Sequence, residues 1–176
     1  MSVRLRIESG PHAGIQRGEI VRRVRAMLGC LQLEKAELSI VLTGDLQIQQ
    51  LNKSYRGKDR PTDVLAFAMR EGDFSRLAGD LLGDVIVSVP TARKQAQTHQ
   101  RAVLDEVTML LAHGLLHLLG WDHETKAKDV RMRAETDRLC LAAGPQRPAK
   151  PTGSVKGKST KASRSPSSRA RPNRKA

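Results

Sequence analysis

The chain has 176 residues, 39% of them hydrophobic, enough for one domain with a core of its own, and only 2% aromatics leave Leu, Val, Ile, Ala and Met to fill it. Its formal net charge of +13 is unevenly placed: from Ala143 onward there are ten Lys or Arg and no Asp or Glu, against 21 basic and 18 acidic side chains in the preceding 142 residues. Cys30 and Cys140, far apart and without a CxxC pairing, exclude a disulfide scaffold or a cysteine-rich zinc site and fit a reducing compartment. Both are expected to be small buried hydrophobes. No apolar run reaches membrane-spanning length, and "MSVRLRIESG" lacks the apolar core of a signal peptide. A soluble, cytoplasmic protein with no membrane contact is expected.

Taken in chain order, "SVRLRIES" alternates Val3, Leu5 and Ile7 with polar residues and predicts a half-buried strand. Residues 15–29 carry Ile20, Val24, Met27 and Leu28 at helical spacing, with Gly29 as the expected end. "ELSIVLT" (37–43) predicts a second strand. Asp45 is the expected cap of a helix to about Tyr55, followed by Gly57. "DVLAFAM" (63–69) and "GDVIVSV" (83–89) predict two more strands, and Pro90 suits the first turn of a helix to about Gln100. Residues 102–119 form a long helix, almost wholly apolar from Met109 apart from its histidines, and therefore buried. Residues 124–144 make a last, amphipathic helix. Strands early and helices late predict an α+β domain over residues 1–143, with a small four-stranded sheet packed with about five helices. Residues 144–176, rich in Pro, Ser, Gly, Lys and Arg, bury too little to offset their ordering entropy and are expected to be a disordered basic tail. Such a run attracts nucleic acid by neutralising phosphates and releasing counterions.

"HGLLHLLGWDH" (113–123) holds three of the chain's five histidines. His113 and His117, four apart on a helix, share one face a single turn apart; Gly120 can then turn the chain so that His123 supplies a third nitrogen. Three imidazoles with an open fourth position describe a catalytic type of divalent-metal site, most simply zinc, although nickel, copper and iron also accept imidazole. The spacing HxxxHxxGxxH is that of metzincin proteases, whose general base is a glutamate after the first histidine. Here that residue is Gly114. Glu106, seven residues before His113, reads as a solvated helix residue. Asp122 and Glu124 flank His123, with capping or surface roles as reasonable as proton transfer. His12 and His99 look isolated.

A second cluster, "LNKSYRGKDRPTDVLAFAM" (51–69), gathers Lys53, Arg56, Lys58 and Arg60 at a helix end. Cations there complement the helix dipole, or they form a phosphate-binding patch beside the metal. Charge alone leaves both readings open.

Together with "LLGDVIVS" (81–88), these blocks closely resemble the YbeY family of bacterial metal-dependent endoribonucleases. The resemblance covers residues 38–125 well, the N-terminal strand and helix loosely, and the tail not at all. It implies a small mixed sheet with helices around a metal-bearing cleft, zinc ligands at His113, His117 and His123, and a catalytic arginine at Arg56. Lys53, Lys58 and Arg60 become candidate RNA contacts. It further implies single-strand-directed cleavage of rRNA, maturation of the 16S rRNA 3′ end, and ribosome quality control. Expected partners are the small ribosomal subunit, one of its proteins, and an Era-type GTPase. Ala66 and Ala68 replace the family's usual serine and proline, and Trp121 a common tyrosine. Two rival functions remain: a metal-dependent hydrolase of peptides or small molecules, opposed by Gly114, and an RNA-binding ribosome-assembly factor with a structural metal.

Overall fold

Four strands, β1 (Ser2–Ile7), β2 (Glu37–Thr43), β3 (Val64–Ala68) and β4 (Leu81–Ser88), form one sheet in the order β1-β2-β4-β3. The computed structural model describes residues 2–8, 12–69 and 79–144; the basic tail expected from the sequence lies, from residue 145 on, outside them. β1, β2 and β4 run parallel, and β3 pairs antiparallel with β4 at the edge. The sheet is therefore mixed. β2 alternates as its sequence does, burying Leu38, Ile40 and Leu42. β4, a central strand, is apolar on both faces because both are covered: Val85 and Val87 join the main core, and Ile86 joins a smaller cluster with Ile48 and Leu65. It runs from Leu81 rather than starting at Gly83, since Leu81 pairs with Glu37 and Leu82 is fully buried.

Five helices pack on this sheet: α1 (Arg17–Cys30), α2 (Asp45–Arg56), α3 (Val89–Thr98), α4 (Val103–Leu118) and α5 (Lys126–Ala143). The α+β architecture expected from the sequence is the one found. α1, α4 and α5 supply most of the main core, while Ile48 of α2 anchors the small cluster on the other sheet face. The four apolar positions expected to face inward on α1, Ile20, Val24, Met27 and Leu28, are all buried.

Several local expectations change. α1 passes through Gly29, because the carbonyls of Met27, Leu28 and Gly29 are taken by the backbone of Leu31, Leu33 and Gln32; the turn closes without glycine. Gly44, not Asp45, is the cap of α2. The Asp45 carboxylate instead accepts from the Ser88 hydroxyl and from Thr91 Oγ1 at 2.7 Å, tying α2 to the start of α3. Glu106 is no solvated residue: it is 0% exposed and accepts from Arg101 Nε at 2.6 Å, with His99 Nδ1 3.2 Å away. The chain before α4 folds over it, which also removes His99 from the isolated residues. Arg23 of α1 is buried too, and donates to Asp105 at 2.7 Å and Thr108 at 2.8 Å on α4.

α4 lies close on the sheet. A Cβ placed on Gly114 would meet Val85 Cγ1 at 2.6 Å and Val64 Cγ2 at 3.3 Å. Position 114 thus faces the strands, and no glutamate side chain fits there without moving the helix. This packing gives the physical reason why the residue after the first histidine is not an acid. Gly114→Ala gains about 1 kcal/mol of helix propensity but forces an overpacking cost of about 1–3 kcal/mol. The expected result is a net loss in chemical denaturation, recovered in the double variant with Val85→Ala. A fully stable single variant would show that the helix does not need this approach.

Candidate metal centre

α4 presents His113 and His117 on one face, half-buried, while their neighbours Ala112, Gly114, Leu115, Leu116 and Leu118 are buried. The helix ends in a Schellman arrangement: Trp121 N donates to Leu116 O at 3.0 Å and Gly120 N to His117 O at 3.0 Å. Gly120 takes the left-handed conformation (φ 82°) that this closure requires. The chain therefore reverses within three residues and brings His123 back against the helix face. The ligand atoms of His113, His117 and His123 all lie within 4.8 Å of one another. Their rings stand with centroids 4.7, 5.7 and 5.3 Å apart.

His117 Nδ1 donates to the Trp121 carbonyl at 2.9 Å, which leaves Nε2 as its lone-pair atom, 3.1 Å from His113 Nε2. A tetrahedral cation with bonds of about 2.0–2.1 Å keeps its ligand nitrogens roughly 3.3–3.4 Å apart, so this pair stands near ligating separation. Burial, with the charges its two histidine neighbours can carry, pushes the His113 pKa down to about 4. Burial also lowers that of His117, partly offset by the hydrogen bond to Trp121. Neutral imidazole, the ligating form, is what this environment favours at physiological pH. The three side chains fit a divalent metal ion.

The cluster opens into a cavity of about 240 Å³ lined by Arg56, Thr62, Asp63, Val64, Ala66 and the three histidines. Arg56, the last residue of α2, arrives over the edge of β3. Its approach is set by buried Asn52, whose Nδ2 donates to Arg60 O at 2.8 Å and pins the turn after the helix. Arg56 has no acidic partner among the described residues. The other candidate cations sit elsewhere: Lys53 pairs with Asp59 at 2.6 Å, and Lys58 and Arg60 are exposed and do not line the cavity.

Asp63 is the residue that sequence reasoning passed over. The Thr62-Asp63 pair reads as a turn, yet its carboxylate lines the cavity, accepting from Val64 N at 2.8 Å and from Gln95 Nε2 at 2.9 Å. Its charge acts to raise the pKa of His113, the sign that also favours a cation there. No signal in the segment itself foretold this, because the orienting Gln95 comes from α3. Asp122 is committed to the turn, accepting from Glu124 N at 3.2 Å and from Lys128 Nζ at 2.7 Å. His12 lies outside the cavity, bonded to the Glu8 carbonyl at 3.1 Å.

The comparisons agree on what this chain resembles. The family model described as "Endoribonuclease YbeY" matches residues 14–144. A Geobacter sulfurreducens endoribonuclease YbeY is 47% identical over 118 residues, 65% of this chain and 79% of the relative. One from Anaeromyxobacter sp. is 44% identical over 144 residues, 82% of this chain and 73% of that protein. The solution structure of a Thermotoga maritima protein matches with a TM-score of 0.57 at 22% identity, over 80% of this chain and 88% of the other, and shows the shared fold.

Metal analysis of the purified protein is expected to return near one ion per chain. His117→Ala removes one nitrogen of the closest pair and the bond to Trp121, and should bring that value near zero. A folded wild type that takes up no divalent metal would end the reading of the triad as a metal site.

Proposed function

Because this chain belongs to the endoribonuclease YbeY family, we propose that the His113, His117 and His123 cavity is where it cleaves RNA, with a zinc ion as the resident metal. The observation that carries this is the convergence of three imidazoles with an arginine that has no acidic partner among the described residues, in one cavity. When bound, a divalent ion supplies Lewis acidity toward a phosphodiester. The chain's own residues do the rest. Arg56 offers guanidinium donors to the non-bridging oxygens of the scissile phosphate and stabilises the charge that gathers there. Thr62, Asp63, Val64 and Ala66 complete the lining of the cavity. With the imidazoles committed to the ion, Asp63 is the one carboxylate among the lining residues. Asp63→Asn therefore tests whether the protein itself takes the proton of the attacking oxygen.

The proposal extends to the substrate: single-stranded rRNA, at the 3′ end of 16S rRNA, in small-subunit maturation and ribosome quality control, with a small-subunit protein and an Era-type GTPase as partners. Lys53, Lys58 and Arg60, exposed and outside the cavity lining, serve as weaker contacts to the RNA backbone. Residues 144–176 add ten positive charges without an acid, and serve as an electrostatic arm that raises affinity for polyanions without selecting sequence. The peptidase reading loses its base at position 114 to packing against Val85.

Arg56→Ala is expected to lower RNA cleavage about 10²–10³-fold, the range for loss of one donor to developing charge, with metal content and thermal stability unchanged. Unchanged cleavage would remove Arg56 from the chemistry. Products ending in a 2′,3′-cyclic phosphate identify the substrate 2′-hydroxyl as nucleophile, and 3′-hydroxyl ends paired with 5′-phosphates identify water. Deleting residues 144–176 should weaken RNA binding and flatten the dependence of log K on log salt. An unaltered slope assigns the arm another role.

A further inference from the structure

We propose that Trp121 is a stacking platform for an unpaired nucleobase next to the cleavage centre, with Arg131 holding the phosphate of the same nucleotide. The inference rests on the endoribonuclease reading of the cavity and adds a base-binding subsite to it.

Trp121 is the chain's only tryptophan, in a sequence with 2% aromatics, and it is 37% exposed. A protein this poor in large rings would gain most by burying its largest one. Here the core is built without it, and the indole Nε1–H has no hydrogen-bond partner among the described residues. The ring lines a separate cavity of about 300 Å³, with Leu119, Gly120, Asp122, Lys128 and Arg131, at the lower end of the ~300–1,000 Å³ typical of small-ligand sites.

The platform is rigid and close to the reacting centre. Both backbone polar groups of Trp121 are held: its N–H by Leu116 O at 3.0 Å, its carbonyl by His117 Nδ1 at 2.9 Å. A stacking surface fixed in advance loses less entropy when a base settles on it. Trp121 stands two residues before His123, so their Cα atoms lie at most about 7 Å apart. A phosphate at the histidine cavity therefore leaves a neighbouring nucleotide within reach of the indole. Lys128 is held by Asp122 at 2.7 Å, whereas Arg131 has no acidic partner among the described residues and is free for a phosphate.

The chemistry of the ligand follows. An indole face accepts any base, because every base presents a π-surface, so the subsite does not read sequence. In a duplex the bases already stack on one another and are unavailable. The subsite thus favours single strands and unstacked ends over paired RNA, independently of Arg56.

Because Trp121 is the sole tryptophan, tryptophan fluorescence of the full, metal-loaded chain, excited beyond the absorption of Tyr55, reports on this position alone. The probes are a 2′-O-methyl single-stranded oligonucleotide, checked to stay intact over the titration, the same strand with abasic residues, and its duplex. The single strand is expected to quench the emission saturably, and the abasic strand and the duplex much less. Trp121→Leu, which keeps apolar bulk but no ring, should raise KM for single-stranded RNA about 5- to 150-fold, the range for loss of one stacked base, with a smaller change in kcat. Trp121→Tyr should keep KM near wild type, and metal content in both variants separates loss of stacking from damage to the histidine loop. Arg131→Ser should reduce the salt slope of binding by about one while base-dependent quenching persists. Wild type that cleaves RNA without base-dependent quenching, or Trp121→Leu with unaltered KM and metal content, would overturn the proposal. Failure of metal-loaded wild type to cleave any RNA would instead count against the endoribonuclease reading itself.

Discussion

The close approach of α4 to the sheet is the constraint from which the centre follows. At Gly114 the helix stands where even a methyl group would collide with Val85, and this contact sets how far His113 and His117 rise over β3. β3 is a short edge strand, so one side of the histidine pair is open to whatever comes over its free edge. What comes is the end of α2, carrying Arg56, with the turn after it held by Asn52. A larger residue at 114 would lift the helix and widen the cavity between imidazoles and arginine. The same small residue thus serves the packing of the core and the spacing of the centre.

Polar accounting explains why the histidine loop holds its form. A helix end leaves carbonyls without partners. Here the carbonyls of Leu116 and His117 are satisfied by Trp121 and Gly120, and the Trp121 carbonyl is in turn satisfied by the His117 side chain. That last bond does two things: it fixes the loop that carries His123, and it turns the Nε2 lone pair of His117 toward His113. Burial then favours the neutral form of His113 and His117. Helix termination and tautomer choice depend on one another, so the three histidines are held together although His123 sits on a loop.

Most of the fold and the convergence of the histidines were legible because they rest on local periodicity. Alternation marked β2, and the four-residue spacing of His113 and His117 needed only a helix to become a shared face. What was not legible depends on distant partners. Glu106 reads as a surface acid until Arg101 and His99 close over it. Asp45 reads as a cap until Ser88 and Thr91 claim its carboxylate. Asp63 reads as a turn residue because Gln95, which orients it, lies 32 positions away on α3. Gly114 could be read as an absent base, but its reason, the valine opposite, required the sheet.

The distribution of charge separates attraction from placement. Across the described residues many basic side chains are tied to acids: Arg22 to Glu19, Lys53 to Asp59, Arg101 to Glu106, Lys128 to Asp122, Arg133 to Asp129 and Arg138 to Glu135. A cation so paired contributes little to the field felt by a polyanion. The domain, with 21 basic and 18 acidic groups before Ala143, is therefore a weak attractor of RNA as a whole. Arg56 is the exception that matters locally, because among the described residues it is the one cation lining the histidine cavity. Strong long-range attraction would then have to come from the ten positive charges after residue 142, and discrimination from the cleft. Such a division leaves the cleft free of excess positive charge, which would otherwise oppose a divalent cation among the three histidines.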